Sequence, residues 1–207
     1  MKYVYEFIGT FFLVFTVGMT VINTGNVAML APLAIGAVLA ALVYSGGHVS
    51  GAHYNPAVSL SAFIRGSLSF LDMSIYWVAQ LIAGALAAYL TIYFKGDLPQ
   101  NPLQLDPAKA LIAEFLFTFA LCYVVLNTAT AIATKGNSYY GLAIGFVVLA
   151  GAYAVGTISG AAFNPAVALG ISILNLSTWE NFWIFLSANL VGGAVAALIF
   201  KLAHPHE

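Results

Sequence analysis

Six apolar stretches, each long enough or almost long enough to cross a bilayer as a helix, constrain the fold of this chain most. A spanning helix needs about 20 predominantly apolar residues. Only 6% of the 207 residues are charged, whereas a soluble domain carries about 25%, and the mean hydropathy is +0.96. We therefore expect an all-α membrane protein in a lipid bilayer, with six transmembrane helices at Val4–Val21, Leu30–Ser45, Ser74–Phe94, Pro107–Thr128, Tyr139–Val155 and Phe182–Leu202.

Two further apolar runs, Asn55–Ile64 and Asn164–Leu174, are about half the length of a span. Each begins with Asn-Pro, in which the Asn side chain can cap free backbone N–H groups and Pro suits the first helical position. Runs of this length are typical of re-entrant segments. Such segments must be buried in protein or line a watery cavity, because exposed irregular backbone is too costly in lipid. The sequence therefore predicts two half-helices.

The two halves of the chain are near-copies of each other. Asn55 and Asn164 are 109 residues apart, and at this offset Ser50–Val58 (SGAHYNPAV) aligns with Ser159–Val167 (SGAAFNPAV). Each half contains three spans, an odd number, so the second half must enter the membrane upside down. We expect one channel domain over residues 1–207, built as an inverted repeat with halves 1–98 and 107–207. Matching broken segments in such halves indicate the transport site.

The charged residues of the loops predict the orientation. Basic residues are more frequent in the loops on the cytoplasmic side of a membrane. Four of them fall on the side of the N-terminus and two, Lys95 and Lys109, on the other. We therefore expect both termini in the cytoplasm, on the same side as Lys2, Arg65, Lys135 and Lys201.

Two half-helices that enter from opposite faces meet N-terminus to N-terminus near the midplane. Each helix start carries roughly half a positive charge, so the meeting point repels cations and protons. Asn55 and Asn164 can add N–H donors that orient a water molecule and interrupt a proton relay. One Asn-Pro alone would indicate a turn, but two copies with matching flanks are much more specific. The pattern predicts a passive pore for small uncharged molecules.

Other function classes find little support in the sequence. No nucleophile–base pair or ligand spacing typical of a metal site stands out, so we expect neither an enzyme nor a bound metal or cofactor. No basic block indicates nucleic-acid binding. An adhesive or structural role has no support from the short loops. An ion-coupled secondary transporter remains the alternative, because such carriers also use inverted repeats and broken helices. Glu6 and Glu114 are the ionisable groups it would use.

The paired Asn-Pro-Ala motifs, the segment Gly47–His53 (GHVSGAH) and a Glu-x-x-x-Thr pattern in spans one and four resemble the aquaporin and glycerol-facilitator family, the major intrinsic proteins. The resemblance covers essentially the whole chain. It implies an aquaporin-like fold, a homotetramer with one pore in each subunit, and passage of water and other small uncharged solutes. We expect the channel in the plasma (cell) membrane. The motif residues at the centre of the pore are then Asn55, Pro56, Ala57, Asn164, Pro165 and Ala166.

The resemblance also implies roles for residues outside these motifs. Glu6 and Glu114 should accept hydrogen bonds from the re-entrant loops, unless they are end residues that reach the membrane surface. His53 is a candidate for lining the pore, whereas His48 should pack structurally. Cys122 lies in an apolar span, so we expect water flux to resist mercurials.

Four positions should form the outer constriction, and here the chain departs from the family pattern. Most members have Arg after the second Asn-Pro-Ala motif, and this chain has Val167. All four positions are apolar, which predicts a wider and less polar constriction than that of a strict water channel. The constriction residues implied are Ile35, Ala152, Ala161 and Val167.

Overall fold

The structure, a computed structural model, describes the backbone of residues 1–207 and the side chains of all but Asn26 and Val27. Eight α-helices occur in this described backbone, and six of them are long and apolar enough to cross a membrane. Helices α3 and α7 have only 10 and 9 residues. The predicted fold of six spans and two half-helices is therefore confirmed. The helices are α1 Lys2–Val21, α2 Ala31–Ser50, α3 Pro56–Arg65, α4 Phe70–Lys95, α5 Pro107–Val125, α6 Tyr140–Ser159, α7 Pro165–Ile173 and α8 Phe182–Ala203.

Two helices extend further towards the half-helices than the sequence predicted. Helix α2 runs to Ser50 instead of Ser45, and α6 similarly continues to Ser159. Glycines weaken an isolated helix, which is why the glycine-rich ends looked like loops. In the folded chain they allow close packing instead, because a Cβ atom on Gly46 would overlap the hydroxyl group of Tyr54.

Two other helix boundaries depend on local hydrogen bonding. Helix α4 begins at Phe70 instead of Ser74 because the Ser69 hydroxyl caps it and accepts from the Asp72 N–H at 3.1 Å. Helix α5 ends at Val125, and one π-helical turn, Leu126–Thr130, follows it.

The packing of the helices follows the inverted repeat. Helix α1 packs on α4 and α5 packs on α8, while α2 and α6 pack on each other across the two halves. Each half-helix packs on the last span of the opposite half, α3 on α8 and α7 on α4. Glycine is required at both crossings. A Cβ atom on Gly84 would lie 2.8 Å from the Ala166 carbonyl oxygen, and one on Gly193 would lie 2.6 Å from that of Ala57.

The outer faces of the spans are apolar, as a lipid environment requires. Large side chains such as Val78, Ile82 and Leu86 on α4 and Ile112 and Leu116 on α5 are about half exposed. A soluble protein rarely exposes so continuous an apolar surface. The polar groups inside the protein are instead concentrated around the two half-helices.

Candidate functional site

The two half-helices begin with the same capping arrangement. The Asn55 Oδ1 atom accepts from the Ala57 N–H at 2.8 Å, and the Asn164 Oδ1 atom accepts from the Ala166 N–H at 2.9 Å. A proline follows each asparagine at the first helical position. Each side-chain oxygen thus satisfies one of the N–H groups that a helix start leaves unpaired.

The amide nitrogens of the same asparagines connect the two halves. Asn55 Nδ2 donates to the Phe163 carbonyl oxygen and Asn164 Nδ2 donates to that of Tyr54, both at 2.9 Å. A primary amide has two N–H donors, so each asparagine retains one donor for the space between the half-helices. Both asparagines line that space.

A buried carboxylate supports the loop before α3. The Glu6 side chain is fully buried, so the alternative that it reaches the membrane surface is wrong. It accepts hydrogen bonds from the Ser50 hydroxyl at 2.7 Å, the His53 N–H at 2.9 Å, the Tyr54 N–H at 2.6 Å and Gln80 Nε2 at 2.9 Å.

Glu114 occupies the equivalent place before α7 and is also fully buried. It accepts from the Ser159 hydroxyl at 2.7 Å, the Ala162 N–H at 2.9 Å and the Phe163 N–H at 2.7 Å. In both halves one carboxylate therefore satisfies consecutive backbone donors of a loop that has no regular secondary structure.

These loops have a backbone conformation that L-residues rarely adopt. Ala52 and Tyr54 have φ angles of 51°, and Ala161 and Phe163 have φ angles of 52° and 48°. The left-handed region costs such residues about 1–2 kcal/mol each. Strain of this kind persists only where the surroundings over-determine the backbone. The buried carboxylates and the asparagine bonds between the halves provide that constraint.

A cavity of about 400 Å³, here called the central cavity, lies between the half-helices. Asn55 and Asn164 supply amide groups to its wall, and most of the other lining side chains are apolar. The structure brings all four residues expected at the constriction to this one cavity: Ile35, Ala152, Ala161 and Val167.

A second cavity of about 730 Å³, here called the vestibule, opens towards the α5–α6 connection. His53 and Val125 line both cavities, so the two spaces adjoin at this pair. His48, which the resemblance led us to expect in a packing role, is exposed on the wall of the vestibule. The difference arises because α2 continues past it to Ser50.

The sequence interpretation missed several polar residues that contact the expected site. Gln80 and Ser59 are fully buried and hydrogen-bond to each other. A usable signal existed for Gln80, because an amide inside an apolar span usually has a polar partner. Among the side chains that the structure describes, no group of three or more His, Cys, Asp or Glu residues is placed to hold a metal ion.

Comparison with known proteins identifies the family. The family model described as Major intrinsic protein matches residues 1–200. Aquaporin TIP1-1 of Arabidopsis thaliana is 38% identical over 186 residues, which cover 86% of this chain and 72% of the relative. Putative aquaporin NIP4-1 of the same plant is 31% identical, over 97% of this chain and 74% of the relative.

A solved structure has the same fold. The X-ray structure of the aquaglyceroporin from Plasmodium falciparum superposes with a TM-score of 0.82 at 23% identity, covering 99% of this chain and 96% of the other. These comparisons do not favour the ion-coupled transporter, since members of the matched family are channels. Members of this family are also not enzymes. The chain therefore belongs to the major intrinsic protein family and forms a passive membrane channel for water and small solutes.

Proposed function

We propose that this channel conducts larger uncharged solutes, such as urea, ammonia and glycerol, together with water, and that it does so without a chemical step. The observation that carries the proposal is the apolar lining at the constriction positions, with Val167 in place of an arginine. An arginine there would add bulk, a permanent charge and five hydrogen-bond donors. Neither Ala152 nor Ala161 has a side chain large enough to take up that volume.

Ion exclusion, in this proposal, depends on the centre of the pore. The N-termini of α3 and α7 direct their positive dipole ends at the same space. Asn55 and Asn164 each present a remaining N–H donor there. A passing water molecule accepts from both donors and directs its own hydrogens along the pore, so no continuous proton relay forms.

We also propose that the channel is a homotetramer in the cell membrane, with both termini in the cytoplasm. The apolar outer faces of the spans provide surfaces for lipid and for neighbouring subunits. Arg65 pairs with Glu207 at 3.0 Å and also donates to the Thr130 carbonyl oxygen at 2.9 Å. These contacts keep the end of α3, the α5–α6 connection and the C-terminal residues on one face, in agreement with the orientation expected from the loop charges. Native mass spectrometry, cell fractionation and protease protection of a C-terminal tag test the three parts separately.

The decisive experiment for selectivity is stopped-flow swelling of proteoliposomes with water, urea, glycerol and ammonia. It compares the wild type with Val167→Arg and with Val167→Met, a control that adds bulk without charge or donors. We expect the wild type to pass all four solutes. Val167→Arg should lower the ratio of urea or glycerol to water permeability by about tenfold, which corresponds to ~1.4 kcal/mol in the barrier. Val167→Met should have a smaller effect.

Two outcomes would contradict the proposal. One is a wild type that conducts water but excludes urea, glycerol and ammonia. The other is flux that disappears when a proton or sodium gradient is collapsed, since a passive pore needs neither. Oligomer content is checked in every preparation, so that a misfolded Arg variant is not counted as a selective one.

A further inference from the structure

The connection between α4 and α5, residues 96–106, joins the two repeated units and therefore occurs once in the chain. Leu103 of this connection is partly buried and lines the central cavity. The connection precedes α5, whereas Val125 at the other end of α5 lines the vestibule. Because α5 is long enough to cross a membrane, the connection lies at the end of the pore opposite the vestibule. This end of the pore thus has a wall segment that the repeat does not supply at the other end.

Three contacts fix this connection over the end of α7. The Leu103 N–H donates to the Leu176 carbonyl oxygen at 3.0 Å, and the Pro99 carbonyl oxygen accepts from Asn175 Nδ2 at 2.6 Å. Leu98 packs against a buried apolar cluster at the ends of α1 and α7. These three contacts do not involve the side chain of Leu103, so a substitution there leaves them in place.

The side chain of Leu103 lies against the backbone beside the constriction. A Cβ atom on Gly160 would be 3.9 Å from Leu103 Cδ2 and 3.8 Å from Ile171 Cδ1, which is ordinary contact distance. Gly160 has a φ angle of 88°, a conformation that favours glycine, and it directly precedes Ala161. Leu103, Ala161 and Val167 line the same cavity. Leu103 therefore adds a branched side chain to a wall where alanine and valine leave space.

A leucine side chain limits a pore differently from an arginine. An arginine adds a permanent charge and five donors as well as bulk, whereas leucine offers neither a charge nor a hydrogen-bonding group. A polar solute that passes leucine gives up water on that side and gains no hydrogen bond in return. The contact therefore discriminates between uncharged solutes by their size, and it adds nothing to ion exclusion.

We propose that Leu103 is a specificity-determining residue of the constriction and that it sets the size of the largest uncharged solute that the pore admits. The size limit at this end of the pore then comes from the α4–α5 connection and not from either repeated unit. The inference rests on the proposed passage of urea, glycerol and ammonia for the solutes that Leu103 limits. The place of Leu103 on the pore wall is tested with water alone.

A thiol at position 103 tests whether this side chain borders the path of water. The natural Cys122 is fully buried, so in Leu103→Cys the introduced thiol is the one that a reagent reaches. The variant is treated in detergent with a methanethiosulfonate that carries a trimethylammonium group, and it is then reconstituted for stopped-flow measurement of water flux. We expect the label to remove most of the water flux, because it places a bulky cation in the pore.

Gln104→Cys is the matched control for this experiment. Gln104 is exposed, and it is not among the described residues that line the central cavity. The control should take up the label to the same extent, measured by mass spectrometry, and should keep its water flux. A Leu103→Cys variant that stays unlabelled, or that conducts water normally after complete labelling, would overturn the place of Leu103 on the pore wall.

The size limit is tested with Leu103→Ala and Leu103→Met. One methylene group changes discrimination in an apolar pocket by about tenfold or more, so Leu103→Ala should raise the ratio of glycerol to water permeability by at least about tenfold. Leu103→Met conserves the volume and should keep the wild-type ratio. Each ratio is measured within one preparation, so a lower yield of folded protein does not alter it.

The outcomes separate this inference from the proposed function. An unchanged ratio in Leu103→Ala, or equal increases in Leu103→Ala and Leu103→Met, would overturn the size limit. A wild type that conducts water but excludes glycerol, urea and ammonia would contradict the proposed function. In that case the labelling result still holds for Leu103, and Leu103→Ala should admit solutes that the wild type excludes.

Discussion

The two loops that lead into the half-helices share a backbone but differ in the number of polar groups that support it. Glu6 accepts four hydrogen bonds, including one from Gln80. Glu114 accepts three, and the buried amide of Asn189, at the position equivalent to Gln80, lies beside it. The shared carboxylate, serine and asparagine are therefore sufficient for the loop geometry. The first half differs by the polar side chains of His53 and Ser59, whose counterparts in the second half are Ala162 and Ala168.

Removing either buried carboxylate should reduce the yield of folded protein more than any other substitution considered. The size of the reduction should differ between the two halves of the chain. In Glu6→Ala, four donors lose their acceptor, three of them buried, and each unsatisfied buried group costs about 1–3 kcal/mol. Glu114→Ala leaves three such donors. We expect little folded protein from the first variant and a reduced yield from the second, measured as the monodisperse fraction and melting temperature in detergent. Equal losses would indicate that Gln80 contributes nothing to the first loop.

Substitutions at the two glycine crossings should have effects of equal size, unlike those at the carboxylates, because the packing at these crossings is equivalent in the two halves. Gly84→Val and Gly193→Val each place a branched side chain against a backbone carbonyl that cannot rotate away. Overpacking of this kind costs about 1–3 kcal/mol. We expect similar falls in melting temperature for the two variants. Ala87→Val, at a fully buried position on the same helix, is a comparison for ordinary overpacking, and a larger fall there would argue against a special role for the crossings.

Charge at the pore centre should affect ion exclusion with a smaller effect on folding. In Asn55→Asp and Asn164→Asp the carboxylate can still cap its half-helix, but it opposes the positive potential of the helix starts and loses the donor to the opposite half. We expect a proton or cation leak that rises about tenfold for each ~1.4 kcal/mol by which the barrier falls. A pH-sensitive dye in proteoliposomes measures it. Two variants that fold normally and remain tight to protons would contradict the midplane mechanism, and a leak in only one would break the equivalence of the halves.

Mercury treatment should have the smallest effect, because the natural thiol is out of reach. Cys122 is fully buried in α5, so wild-type water flux should be unaffected and Cys122→Ser should behave identically. Ala161→Cys introduces a thiol at a position that lines the central cavity and is expected at the constriction, so it should produce inhibition. Ala52→Cys tests the corresponding position of the first half. Strong inhibition of the wild type that Cys122→Ser removes would show that mercury reaches α5.

The sequence alone determined the architecture of this protein. Long apolar stretches have no alternative to helices in lipid, because every backbone polar group must be satisfied within the segment. The repeat of Asn-Pro at a fixed offset then predicted two half-helices that meet. Helix ends were less predictable: the glycines before Ser50 and Ser159 weaken an isolated helix, yet both helices continue to these serines, and in the folded chain Gly46 accommodates Tyr54.

Tertiary structure decided which polar groups support the site and which face the pore. The sequence could not predict that Gln80 and Ser59 meet between Glu6 and His53, because these four residues lie on different elements and their hydrogen bonds depend on how those elements pack. The environment of His48 was equally hidden, since it depends on how far α2 continues. Hydrophobicity and chain periodicity are local properties that a sequence displays directly, whereas the direction of a hydrogen bond between distant residues exists only once the helices have packed.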